Sequence, residues 1–549
     1  MAENKGCGKE RFLSALAQYE MNCYEKYAPY TGEITYSARH IKQIARILNN
    51  KPVVNVRTAR SFAKYAAVVA IAAATIAGGY VSVDAMHNEF FDIGSVDYSD
   101  MPELTLNAEK TEYTVTGIGM LAEGDIVIPA SYGGIPITAI GENAFANNNK
   151  ITSVTISEGI ERIEFGAFSA CTKLERVMLP ESLSEIGADA FWRCLNLREI
   201  RFSQGLEKIG DSAFYSCVKL TEISLPESLK VIGTSCFKAC TGLQKVVLQE
   251  GIEVIGDSAF YNCSKLEEIN FPDSLEIIGD EAFFICGNLE SVSLNVDSLG
   301  YYVFKNCKKL REVELYAQSV GYNAFAGCTA LEKVKIDGME EIPKGAFSGL
   351  TSLTDIEIGE SVKIIGESAF YKCAALEFVV FHEGLCEIGD DAFRESGLIA
   401  AFIPDSVTEI GMYAFADCKA LRQVKLPSGL EVIKSGTFSG CNWLTDIELG
   451  ESVKVICEKA FYACTWLREL ELPEGFEHIG EEAFANCTML KTLCLPESIK
   501  FIGKSAFENC LRLDVIKFEG ALAQWESVIR YFGLESIAVE CRDGIYRRE

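Results

Sequence analysis

The sequence has only four histidines, His40, His87, His382 and His478, scattered without a common spacing. Imidazole carries much of the acid–base and metal chemistry available at neutral pH, so its scarcity already argues against an enzyme. No H-E-x-x-H, nucleophile elbow or phosphate-cradling glycine loop occurs. Proline is low at 13 of 549 residues and glycine ordinary at 45, which excludes collagen-like and proline-rich chains. Positive charge is short as well, with 51 Lys and Arg against 78 Asp and Glu, a net charge of −27. A chain this acidic lacks the basic face that neutralises phosphate, so a nucleic-acid partner is not expected. Disorder is excluded by the 48% hydrophobic content. Carboxylates abound, but a catalytic pair needs one of them desolvated, and nothing in the pattern marks such a pair. No catalytic residue, cofactor or metal is assigned.

Cysteine is the residue in excess, at 21. A secreted disulfide scaffold is normally short, so the count needs another origin. An internal repeat supplies it. A small residue followed by Phe recurs from Ala144-Phe145 to Ala506-Phe507, 17 times, at spacings of 21 to 23 residues. The shorter spacings fit trimmed loops. Fourteen cysteines fall three residues after the repeat Phe, and the other three units carry Asn148, Leu350 and Ser396 there. A position that accepts Leu and Ser asks for a small or apolar buried group, and free Cys packs as a small hydrophobe. Paired C-x-x-C spacing for zinc is missing, and stacked coils hold their side chains parallel, which does not suit a disulfide ladder.

In one unit, Leu174, Val177 and Leu179 end in period-two alternation and read as a strand that Pro180 stops. Leu183 and Ile186 begin a second short extended segment, and Gly187 is read as a tight-turn residue. The Ala-Phe-x-x-Cys stretch reads as a single helical or 3₁₀ turn. No unit can bury its apolar face alone, so the coils must stack into a solenoid. Length by itself would suggest three or four domains; the repeat replaces these with one rod of about 80 Å at the usual strand spacing.

The pattern L-x-x-I-x-L-P-x-S-L-x-x-I-G-x-x-A-F-x-x-C resembles the BspA-like leucine-rich repeat over 145–513. The resemblance implies an α/β repeat fold, a right-handed leucine-rich repeat solenoid of about 17 coils, strand-rich with short helical or 3₁₀ turns. It also implies an N-terminal β-cap over 105–144, where Ile126-Val127-Ile128-Pro129 and Tyr132 to Thr138 stand, and a C-terminal cap over 514–549, including Phe518, Trp525 and Ile537 to Cys541. Caps are expected physically, because end coils expose core and a sheet edge. Surface recognition or adhesion is the function that the family implies.

The first hundred residues differ in kind. Residues 1–64 hold 11 basic and 5 acidic side chains, +6, whereas 65–549 sum to −33. Helical spacing over Glu10–Tyr27 and Ser37–Leu48 predicts a small helical head. Tyr65–Val83 is free of charge and follows Arg57, Arg60 and Lys64. Its 19 residues are enough for one transmembrane helix, and the basic flank places 1–64 in the cytoplasm. Residues 84–104 are then a linker, and the solenoid is extracellular on a single-pass membrane protein. Two other readings stay open: a signalling protein whose head binds a cytosolic regulator, and a soluble scaffold should 65–83 not span a membrane.

Binding is expected on the solvent side of the strands, at the eighth and tenth residues after each Phe. Most of these are polar. Phe378 and Val380 break the rule, and one residue lost from the next unit brings Ala400 and Phe402 to the matching places. Asp446, Glu448, Glu469 and Glu471 form an acidic block to one side, and Asp355 and Glu357 lie on the other. An exposed apolar patch flanked by carboxylates marks an interaction site. Phe378, Val380, Phe402, Asp446, Glu448, Glu469 and Glu471 are therefore the candidate contacts for a protein or glycan ligand.

Overall fold

Each repeat closes one coil of a β-solenoid. In the coil of Phe168, Arg176–Met178 forms the first strand and Glu185–Ile186 the second. Both pair in parallel with their equivalents in the neighbouring coils, with register kept residue for residue, as in Val154↔Val177 and Ile163↔Ile186. The computed structural model describes residues 103–117, 123–530 and 537–546. The helical head at 1–64, the apolar run 65–83 and nearly all of the linker fall outside the described residues. Among the described residues, no helix is long and apolar enough to cross a membrane.

The core is a column. All 17 repeat Phe side chains are buried, and every successive pair along the axis is stacked, from Phe145–Phe168 at 4.8 Å to Phe484–Phe507 at 5.6 Å. That step is close to the spacing of strands in a sheet, which is what allows rings and ladders to share one axis.

The turn beside each Phe is not helical. In this coil the amides of Ala167, Ser169 and Cys171 donate to the carbonyls of Glu164, Gly166 and Phe168 at 3.3, 2.8 and 3.2 Å, three turns offset by two residues. Gly166 and Ala170 sit at φ of 61° and 56°, and these left-handed residues on either side of Phe168 prevent a helix from propagating. The reward is cross-coil bonding. The amides of Gly166, Phe168 and Ala170 donate to carbonyls of Ala188, Ala190 and Trp192 in the next coil at 2.9, 2.7 and 2.6 Å. Helix is confined to Leu522–Ser527 among the described residues.

All fourteen column cysteines are buried and free. They do more than fill space. Cys171 donates its thiol hydrogen to the Phe145 carbonyl of the preceding coil at 3.1 Å, and Cys373 does the same to Phe347 at 3.2 Å. The other twelve repeat this bond. Burial pushes the thiols of Cys171, Cys373 and Cys418 up to about 12, so these are held protonated as donors.

Gly187 corrects a second expectation. Its backbone is not left-handed; the missing Cβ matters because the previous coil lies against it. A Cβ there would come 2.8 Å from the Glu164 carbonyl carbon and 2.9 Å from the Phe165 amide nitrogen. The glycine permits close stacking rather than a special turn.

Trimmed coils merge the two faces. The units starting at Phe283 and Phe304 lack the corner, and each runs as one nine-residue strand, Ser291–Leu299 and Glu312–Val320. Elsewhere the first-strand ladder breaks at four places. Three of these lie at coils that carry Phe at the eleventh place after the repeat Phe, Phe202, Phe271 and Phe381, whereas Phe518 holds the same place in a coil whose ladder is intact. Each of the first three rings stands edge-on against the core Phe of the next coil, centroids 5.6 Å apart at 86–87°. The larger ring accompanies the interruption without spreading the Phe column, whose steps at these coils stay at 5.2–5.3 Å. The fourth break separates Asp446–Glu448 from Glu469–Glu471, where like charges occupy equivalent places in successive coils and oppose pairing.

Both ends carry antiparallel strands. At the N-terminal end Glu103–Leu106 pairs with Tyr113–Gly117, and Ser131–Tyr132 turns through Gly133-Gly134, both at positive φ, onto Ile135–Ile140. At the C-terminal end Ala538–Cys541 pairs with Gly544–Tyr546. Trp525 of the short helix is fully buried there, its ring 5.4 Å from Phe518.

Candidate functional site

The outward rows of the first-strand face follow from strand alternation. In Ala400–Phe402 the middle residue Ala401 is buried and Phe402 is 56% exposed. In the preceding coil Phe378 and Val380 are 61% and 79% exposed, while Val379 and Phe381 between and beyond them pack on the core. The three exposed apolar side chains named by the alternation thus lie on adjacent coils. Their backbone departs from expectation. Residues 377–381 form no strand, and Phe381 is one of the three edge-on rings. The only cross-coil backbone bond kept there is the Ile399 amide to the Glu377 carbonyl, at 3.0 Å.

On the far side Phe402 stands in register with Lys425 and Glu448, and Ala400 with Gln423 and Asp446. Gln423 donates to Asp446 at 3.1 Å, and the Lys425 ammonium is 4.0 Å from Glu448. Glu469 and Glu471 are exposed in the following coil. On the near side Asp355 and Glu357 are exposed and stand opposite Lys333 and Lys335. Opposite charges face each other in that ladder, which stays intact. The apolar patch is therefore bracketed by acidic coils, one balanced by lysines and the other facing more carboxylates.

Alternation of the strands does not point to a second feature at the corner where the chain enters the strand. Trp443 and Trp466 are 48% and 38% exposed, with rings stacked 5.4 Å apart at 3°. The Arg422 guanidinium lies 5.6 Å over Trp443, and that of Arg468 lies 5.7 Å over Trp466. The signal was available in the sequence, since two of the four Trp occupy the same place in successive repeats.

Among the described residues no group of His, Cys, Asp and Glu is placed to hold a metal ion. Similar solved structures include a leucine-rich repeat protein from Bacteroides ovatus, 23% identical, covering 80% of this chain and 98% of its own, with a TM-score of 0.45. Another is a leucine-rich cell surface protein from Faecalibacterium prausnitzii, 23% identical over 80% of this chain and 98% of its own, with a TM-score of 0.31. No curated protein sequence matches. The family model for the BspA type leucine rich repeat region matches in overlapping stretches at 138–255, 232–339, 315–422, 340–465 and 408–529. The repeat, the stacked Phe column and these matches agree, and the chain belongs to the BspA-type leucine-rich repeat family.

Proposed function

We propose that this chain is a cell-surface recognition protein, held in a membrane by residues 65–83, with the basic head 1–64 inside and the solenoid outside. Its first-strand face docks a protein or glycan partner at Phe378, Val380 and Phe402, with Asp446, Glu448, Glu469 and Glu471 contributing at the rim. The observation that carries the reading is the exposure of three apolar side chains on adjacent coils, in rows that elsewhere hold mostly polar residues. Exposed apolar surface is kept against its hydration cost where a partner covers it. A solenoid offers a long face for this purpose, and charge that changes sign at the apolar run matches an anchored layout.

Protease shaving of intact cells tests the display. The solenoid should be cut along with a known surface protein while residues 1–64 survive. A solenoid that survives while the surface marker is lost would remove the anchor from the account.

A further inference from the structure

Resting on that reading of the first-strand face, we propose that the partner is a protein surface with basic side chains around an apolar centre. It lies along the solenoid from Asp355 to Glu471 and takes Trp443 and Trp466 as a second anchor.

The charge argument comes first. Asp446 and Glu448 stand one coil from Glu469 and Glu471 at equivalent places, and the ladder between these two strands is missing. Like charges held side by side destabilise the pairing and favour any cation brought between them. On the other side of the apolar patch, Asp355 and Glu357 face lysines of their own chain. Glu448 shares Lys425, but Glu469 and Glu471 stand opposite Thr492 and Cys494, so the excess of carboxylate over lysine lies on this side of the apolar centre. A partner that matches this pattern carries Lys or Arg next to an apolar side chain.

The tryptophans extend the surface. In most other coils their position, five residues after the repeat Phe, holds Lys, Asn, Gly, Ser or Ala, as at Lys173, Asn196, Lys265 and Ala420, with Met489 and Arg512 in the last two. Indole there gains the contact with its neighbour and a guanidinium over each ring, and still leaves much of its area in water. The corner is held firmly: the Trp466 amide donates to the Asn442 carbonyl at 3.1 Å, and the Asn442 side-chain amide donates to the Ala463 carbonyl at 3.0 Å. A rigid, exposed aromatic beside arginine is the composition from which interface hot spots are drawn.

The same geometry disfavours a glycan. Sugar rings stack on open aromatic faces, but the facing sides of this indole pair cover each other and guanidiniums lie over both rings. A neutral glycan would also leave Glu469 and Glu471 uncompensated. Indole edges and carboxylates remain available, and they suit cationic and carbonyl groups of a protein.

The test is selection of a phage-displayed random peptide library on the full-length protein, followed by titration of synthesised winners. Winners should carry Lys or Arg flanking an apolar residue. Their affinity should fall by about tenfold or more in both F378S/F402S and W443A/W466A, and it should weaken with salt. A lysine-only peptide of equal charge should bind about tenfold more weakly, which separates docking from attraction to an acidic chain. All four substitutions are at exposed side chains, and an unchanged thermal melt verifies that the variants fold. Neutral or acidic winners that F378S/F402S abolishes would overturn the basic-partner chemistry and leave the first-strand reading standing. Basic winners that bind F378S/F402S as well as wild type, or no winners at all, would overturn both. Winners lost in F378S/F402S but indifferent to W443A/W466A would remove the second anchor.

Discussion

Phe381 stands edge-on to Phe393 with ring centroids 5.6 Å apart at 87°, and the coil that carries Phe381 has no strand. The same contact at Phe202–Phe214 and Phe271–Phe283 accompanies two other interruptions of the ladder. The larger ring at 381 is thus the candidate cause of the missing strand beneath Phe378 and Val380. In F381L the ladder should close. Hydrogen exchange at the amides of residues 378–381 should slow by about fivefold for each restored hydrogen bond, the factor that about 1 kcal/mol gives. Unchanged exchange would show that the ring is not the cause.

The thiol column makes stability sensitive to alkali. Burial raises Cys373 and Cys418 from the ordinary 9.0 to about 12. These thiols stay protonated in the folded chain, while in the unfolded chain they ionise near 9. Their contribution is complete below pH 9 and is lost as pH rises from 9 towards 12, by up to about 1.4 kcal/mol per thiol per pH unit. Urea midpoints at pH 8 and pH 10 check the sign, which should be a marked fall. At pH 8, a thiol reagent should modify exposed Cys386 well before the buried column.

Gly187→Ala should destabilise the solenoid by about 2 kcal/mol or more, because the added methyl meets backbone of the preceding coil that cannot rotate away. Gly475→Ala is the contrast. Gly475 has open space around its missing Cβ and a φ of 88°, so its cost should come from conformation alone, about 1 kcal/mol. Equal losses in denaturant melts would contradict the close-stacking account of Gly187.

Much of this fold was legible because the repeat states one pattern 17 times. Leu174, Val177 and Ile186 are buried where alternation put them, and Phe378, Val380 and Phe402 are exposed where it left them. The turn was misread for a physical reason. The Phe-x-x-Cys spacing fits a helical turn and a run of offset β-turns equally well. The choice depends on left-handed backbone on either side of the Phe, which Asn143, Asn147 and Gly166 signal but Ser212, Ser216 and Ala170 adopt without any signal. The edge-on contact of Phe381 was hidden because Phe and Leu are equally apolar in a pattern, and only packing separates them. The Trp443–Trp466 stack was overlooked because these residues precede the strand whose alternation guided the reading.

The claim that the first-strand face is the recognition surface is tested most directly by probing protein and glycan arrays with three full-length proteins: wild type, F378S/F402S and M178S. Met178 is an exposed apolar residue in the same outward row of a distant coil, so M178S controls for loss of any surface hydrophobe. The account predicts features bound by wild type and M178S alike, with signal reduced about tenfold or more in F378S/F402S. Features that F378S/F402S retains at full strength, or a wild-type protein that binds nothing, would contradict it.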